Sequence, residues 1–275
     1  MVRAHKAPRT AAAAAADAAL VPLLSARLGG LALGGHAAGA GAGASASSGP
    51  SIWVREAMVP VKTKPVYADV HFYIDVSSSM SGSRLSTCQK ALCDFFHSLR
   101  DKDCVQLHSF SHVITLVVPY AQKKALTRTF DASVASLCAG GATALRDAVV
   151  QSVADVQSAA ARIKREREAK GKAADSAYRK QVVVILTDGE DCGSRTSTAE
   201  MLAAVRRPGV EAYKTFILAV ADARGTPDVA QLQACSTTKS VEVIDAADAA
   251  SIPAAFTKLK EKLQKVTSIS IIVRG

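Results

Sequence analysis

The sequence predicts an α/β fold with a mainly parallel sheet of six strands and helices on both of its faces. The first observation is that β-rich apolar runs alternate with helical periodicity along most of the chain, which is typical of a parallel sheet with crossover helices. The second is a pair of β-rich runs, 104–110 and 113–118, joined by a tight turn at Ser111 and His112. A hairpin of this kind predicts one antiparallel strand at the edge of the sheet.

The predicted elements follow one another in a regular order. The strands are predicted at 70–74, 104–110, 113–118, 181–187, 213–220 and 241–244. The helices are predicted around an apolar stripe from Leu85 to Leu99, from about 121 to 136, from Thr143 onwards, from about 196 to 206, from about 227, and around an apolar face from Ile252 to Val266.

Composition limits the class of protein. The 275 residues are 49% hydrophobic and carry a formal net charge of +10, which suits one α/β domain with a sizeable core and a tail. The basic balance permits an acidic partner without demonstrating one. No stretch offers the roughly 20 apolar residues that a membrane span requires. None of the six cysteines form a Cys-x-x-Cys pair, so a structural zinc site is not expected. We expect free thiols in a reducing compartment, which favours an intracellular location, with disulfides as the alternative.

Four segments are predicted along the chain. Residues 1–50 are rich in Ala, Gly and Ser, and this composition predicts a disordered tail because it buries little large apolar surface. An organelle transit peptide is the alternative, since the stretch has several basic residues and one acid. Residues 66–266 form the main domain. Residues 51–65 and 267–275 are expected to be extended segments that pair with each other beside it.

Five oxygen-bearing side chains lie at or just after the end of a predicted strand or a predicted glycine turn. Asp75 ends the first strand, and Ser77 and Ser79 follow at alternate positions. A glycine turn at 140–141 precedes Thr143, and Asp188 ends the strand 181–187. Loops after the carboxyl ends of neighbouring parallel strands meet at the topological switch point, where ligands bind. Carboxylate and hydroxyl oxygens suit a hard cation such as Mg²⁺.

These three motifs resemble those of the von Willebrand factor type A domain with a complete metal-ion-dependent adhesion site, over roughly residues 66–266. The resemblance implies a doubly wound, Rossmann-like sheet with strand order 3-2-1-4-5-6. It implies that Ser77 and Ser79 bind Mg²⁺ directly, that Thr143 binds directly or through water, and that Asp75 and Asp188 act mostly through water. The implied function is metal-dependent binding of a partner protein that presents Asp or Glu, with no catalytic residue. Mn²⁺ is expected to substitute, since it also suits an octahedral oxygen site.

Other interpretations remain open at this stage. The five residues could form a vestigial site or cap helices. Asp75 near Mg²⁺ also suggests a phosphotransferase with an aspartyl nucleophile, but such sites want a second acid two residues on, where this chain has Ser77. A nucleic-acid-associated scaffold would use the basic run 162–168, for which a solvated helix end is the simpler interpretation.

Two further groups of residues receive structural interpretations. Glu190 and Asp191 could tune cation affinity, although a solvated loop is the favoured role. His71 and His108 lie in predicted strands, where a packed or edge position is favoured over catalysis.

Overall fold

The computed structural model describes residues 65–171, 179–207, 213–220, 225–235 and 240–268. The predicted tail, residues 51–64 and residues 269–275 lie outside the described residues, and so does the expected pairing of the two extended segments. The five cysteines whose side chains the structure describes are free thiols: Cys88, Cys93, Cys104, Cys138 and Cys192.

Within the described residues, six strands form one sheet in the order β3-β2-β1-β4-β5-β6, as predicted. Neighbouring strands are parallel except for the antiparallel pair β2–β3 at one edge. The strands are β1 (Tyr67–Asp75), β2 (Cys104–Phe110), β3 (Ile114–Gln122), β4 (Arg179–Thr187), β5 (Lys214–Val220) and β6 (Val241–Ala246).

Helices cover both faces of the sheet. The helices of the described residues are α1 (Ser83–Ser98), α2 (Lys123–Leu126), α3 (Phe130–Ala135), α4 (Leu145–Ala169), α5 (Thr198–Val205), α6 (Pro227–Cys235) and α7 (Ile252–Thr267). Alternate residues of β1 serve the two faces: Phe72 and Ile74 pack in the core with α1 and α7, whereas Tyr73 packs in the core with α4, α5 and α6. Burial of both faces explains why β1 reads as a nearly continuous apolar run.

The central strand sets the level of the loops that follow it. β1 pairs with β4 so that Ile74 lies beside Leu186, and its other neighbour β2 places Phe110 beside Asp75. The carboxyl ends of β1 and β4 are therefore level. Because the chain leaves β1 towards β2 and later returns to β4 on its other side, the switch point of the sheet lies between these two strands.

Several element boundaries differ from the prediction, including the starts of β1 and β4, which lie earlier than expected. β3 continues through Pro119 to Gln122, which an edge strand tolerates because one side of it has no ladder to complete. The single helix predicted from about 121 to 136 is instead two short helices, α2 and α3. α4 begins at Leu145 rather than at Thr143, since Ala144 has non-helical backbone angles (φ −99°, ψ 60°).

A buried polar network lies on the face of β1 that Tyr73 shares. The Arg179 Nε donates to Asp69 Oδ1 at 2.7 Å, and Gln181 Nε2 donates to Asp69 Oδ2 at 2.6 Å. His71 is fully buried, with its ring nitrogens 2.9 Å from Gln106 Oε1 and 3.1 Å from Gln181 Oε1. The packed role expected for His71 agrees with this position. Burial lowers the pKa of His71 below its ordinary value of 6.5, and the hydrogen bonds to the two glutamines oppose that shift only in part.

We expect this buried histidine to make the fold less stable in acid. The unfolded chain takes up a proton on His71 near pH 6.5 and the folded protein does so only at lower pH, so the free energy of unfolding falls as pH drops below 6.5. His71→Gln should therefore flatten the decline in urea midpoint measured from pH 7.5 to 5.5 in EDTA. Asp75, whose raised pKa acts in the opposite direction, is common to both proteins and cancels in the comparison. Parallel curves for the two proteins would contradict this expectation.

Candidate metal centre

The first loop is shaped by Asp75 at the end of β1. Asp75 Oδ1 accepts a hydrogen bond of 2.8 Å from the Ser77 backbone N–H, and residues Ser78–Met80 then form one 3₁₀ turn. Met80 anchors this turn in the core with no exposed surface. The result is that the hydroxyls of Ser77 and Ser79 lie 2.9 Å apart.

Asp75 itself is held from both sides. Its Oδ2 accepts a 2.8 Å hydrogen bond from the Thr187 hydroxyl at the end of β4, so the carboxylate bridges the loop after β1 and the neighbouring strand. Burial raises the pKa of Asp75 to about 6, while the hydrogen bonds from Ser77 and Thr187 oppose the rise. Thr187 was not selected from the sequence; its position directly before Asp188 was the available signal.

Asp188 joins the third loop to the first. Its Oδ1 accepts a 2.7 Å hydrogen bond from the Ser79 hydroxyl, and its Oδ2 forms an ion pair of 2.8 Å with Arg84. The structure thus brings Ser77, Ser79 and Asp188 into one connected set of oxygens. Arg84 was not selected from the sequence, since nothing in its local pattern indicates a partner 104 residues away.

The second loop is tied to the first by its glycines. Gly140 N–H donates to the Val76 carbonyl at 2.7 Å, and the Gly141 carbonyl accepts from the Ser78 backbone N–H at 3.0 Å. Gly141 has φ of +88°, and a β-carbon there would lie 2.4 Å from the His112 ring, so this turn requires glycine.

Thr143 completes the set of predicted residues. Its hydroxyl lies 3.7 Å from the position that a β-carbon on Gly189 would take, and the Ser79 hydroxyl lies 3.9 Å from the same point. Both hydroxyls therefore lie beside Gly189, at ordinary van der Waals distance from that point.

The third loop also fixes the backbone of Thr143. The carbonyl of Thr143 accepts hydrogen bonds from Cys192 N–H at 3.0 Å and Gly193 N–H at 2.9 Å, and its own N–H donates to Cys192 Sγ at 3.4 Å. These contacts explain why Thr143 does not open α4 as expected: its backbone groups are used by the third loop instead of by the helix.

Asp191 clamps the second and third loops together. Its side chain has no exposed surface and accepts from the Arg146 backbone N–H at 2.9 Å and the Arg146 guanidinium at 2.7 Å. The clamp is reciprocal, because Asp147 accepts from the backbone N–H of Thr196 at 2.9 Å. The solvated role expected for this pair of acids is wrong for Asp191 and agrees with the structure for the exposed Glu190.

The donor set of this site fits a hard cation. Among the residues that the structure describes, no three His, Cys, Asp or Glu side chains are grouped as metal ligands. A cation here would therefore rely on the hydroxyls of Ser77, Ser79 and Thr143 together with two carboxylates. Five oxygen donors without sulfur or imidazole suit Mg²⁺ or Mn²⁺ better than a softer metal.

The fold and this cluster define an α/β module with a candidate cation site at the switch point of its sheet. The family model of the von Willebrand factor type A domain matches residues 69–258, more than half of the chain. The chain belongs to this family, whose members are protein-interaction modules. Within the described residues, no helix is long and apolar enough to cross a membrane.

Two solved structures show the same fold at low sequence identity. A von Willebrand factor type A protein from Catenulispora acidiphila has a TM-score of 0.57 at 15% identity, over 72% of this chain and 42% of that one. The PilB minor pilin from Streptococcus sanguinis has a TM-score of 0.54 at 15% identity, over 76% of this chain and 64% of that one. The chain thus spans less than two thirds of either relative. No curated protein sequence matches it.

We expect Asp191 to contribute more than the adjacent Glu190 to the stability of the fold and to cation binding. Asp191→Ala should lower the free energy of unfolding by about 2–3 kcal/mol, because the Arg146 guanidinium and backbone N–H lose a buried acceptor and Arg146 keeps only its 3.5 Å ion pair with Asp228. It should also weaken Mn²⁺ binding, since the loop that carries Thr143 loses its anchor.

Glu190→Ala is the matched control, as it removes the adjacent but exposed carboxylate. Chemical denaturation and Mn²⁺ titration of both variants provide the measurements. Equal effects of the two substitutions would show that Asp191 does not hold the loops.

Proposed function

We propose that this domain is a metal-dependent protein-binding module. In this proposal Ser77, Ser79 and Thr143 hold Mg²⁺ through their hydroxyls, and Asp75 and Asp188 act mainly through water. When bound, the cation supplies an open coordination position that a carboxylate of a partner protein can fill. The observation that carries the proposal is the hydrogen-bonded chain from Ser77 through Ser79 to Asp188, at 2.9 and 2.7 Å, which unites oxygens from two separate loops.

The types of ligand support recognition of an acidic partner. Hydroxyls are neutral, so they contribute oxygen atoms without neutralising a divalent charge. Asp75 and Asp188 are held by other groups of the protein, namely Thr187 and Arg84, which favours a role in orienting waters. A site with this composition retains positive charge and favours an external Asp or Glu.

Binding without catalysis is part of the same proposal. Both oxygens of Asp75 already accept hydrogen bonds, one from the Ser77 N–H and one from Thr187 Oγ1. A carboxylate fixed in this way serves as an acceptor that shapes the loop. Position 77, where a phosphotransferase of the aspartyl type would have a second acid, is a serine that faces Ser79.

The basic run at the end of α4 gives weaker support to nucleic-acid binding. The Arg162 guanidinium lies 4.1 Å from the centre of the Tyr120 ring and 4.0 Å from Glu166, so contacts within the domain already use this residue. The metal-dependent proposal is therefore preferred. The intracellular location expected from the cysteines stays a prediction.

Metal uptake by the purified protein tests the site directly. Wild-type protein should bind Mn²⁺ in an isothermal titration, and Ser77→Ala and Asp188→Ala should weaken this binding by at least about tenfold through the loss of one oxygen group each. Ser81→Ala is the control, because this exposed serine lies outside the cluster in the same loop. Absence of Mn²⁺ uptake by folded wild-type protein would refute the site.

Partner capture tests the function. Protein carrying residues 1–275 should retain partners from cells in Mg²⁺ and release them in EDTA, and Ser77→Ala should lose them in either buffer. Retention that survives EDTA and falls steeply with salt would instead indicate phosphate contacts and the nucleic-acid alternative.

A further inference from the structure

We propose that the positive charge of Arg84 limits the cation affinity of this site; the inference rests on the proposed function. Arg84 is the second residue of α1 and lies at the rim of the cluster, with 38% of its side chain exposed. Its Nη1 donates to Asp188 Oδ2 at 2.8 Å and to the Ser79 carbonyl at 3.1 Å. One guanidinium thus contacts two of the five predicted site residues.

The position of Arg84 points to electrostatics rather than to fold stability. Asp188 has no exposed side-chain surface, and its charge is offset by a guanidinium that is partly in water. Water screens the exposed partner of this ion pair, so the pair contributes less to stability than a fully buried one would. The amino end of a helix also disfavours a cation through the helix dipole, so α1 itself gives Arg84 no support there. The favourable electrostatic interaction of Arg84 at this position is its ion pair with Asp188.

The two oxygens of Asp188 have different partners. Oδ2 faces Arg84, whereas Oδ1 faces the Ser79 hydroxyl and hence the cluster. The ion pair can therefore persist while Oδ1 serves the cation site. With Arg84 in place, the formal charge of Asp75, Asp188 and Arg84 together is −1, and without it the charge would be −2. Arg84 therefore weakens attraction of a divalent cation and leaves more positive charge for the carboxylate of a partner.

The test is a Mn²⁺ titration of the folded full chain and three variants. Arg84→Gln removes the charge and should bind Mn²⁺ about tenfold more tightly than wild type, because a nearby like charge is lost. Arg84→Lys keeps the charge and should stay within about threefold of wild type.

Arg100→Gln is the matched control. Arg100 is also half-exposed, at 45%, and pairs with the buried Asp103 at 2.8 Å, next to the start of β2 at the opposite end of the sheet. Arg100→Gln changes the net charge of the protein by the same amount as Arg84→Gln does, and it should leave the Mn²⁺ affinity within about twofold of wild type.

The outcomes separate this inference from the proposed function. Wild-type uptake of Mn²⁺ with equal affinities for Arg84→Gln and Arg100→Gln would overturn the role of Arg84 alone. Equal changes in Arg84→Gln and Arg84→Lys would overturn it too, because hydrogen-bond geometry and not charge would then be responsible. Absence of uptake in all four proteins would overturn both proposals.

Discussion

The buried carboxylate of Asp75 is the group on which the arrangement of the loops depends. It accepts one hydrogen bond from the backbone of its own loop, at Ser77, and one from Thr187 on the neighbouring strand. The bond from Thr187 requires that β1 and β4 end at the same level, which the pairing of Ile74 with Leu186 ensures. A buried acceptor without these donors would be strongly unfavourable, so the turn that places Ser77 beside Ser79 follows from satisfying Asp75.

The proposed cation site relies on hydroxyls, which are neutral ligands and attract a cation only weakly. Such a site needs rigid loops that hold the hydroxyl oxygens in place before the cation binds. The third loop supplies this rigidity for the second. Cys192 and Gly193 hold the carbonyl of Thr143, and Asp191 holds the start of α4 through Arg146. These contacts are short and mostly involve backbone groups. The backbone of Thr143 is thus held by residues outside the five proposed ligands.

The five oxygen-bearing residues could be proposed from the sequence, because each follows a strongly apolar strand or a glycine turn whose local signal is clear. The strand order was proposed from the resemblance to the von Willebrand factor type A domain. The sequence did not distinguish Asp191 from Glu190, which are adjacent and chemically alike. Their difference lies in Arg146, 45 residues earlier, and in the fold that brings the two loops together. Thr143 was placed in a helix for the same reason: periodicity describes a segment, whereas the groups that bond its backbone come from another loop.

The two aspartates of the cluster show how similar residues acquire different electrostatic roles. Asp75 is surrounded by neutral donors, and burial dominates its pKa, which rises to about 6. Asp188 is equally buried but faces a guanidinium, so its negative charge is offset locally. A carboxylate among neutral donors keeps its charge available to a cation, whereas one paired with Arg84 shares it. In the proposed function, the two aspartates together would attract a divalent ion without neutralising its charge, which is the balance that recognition of an external carboxylate requires.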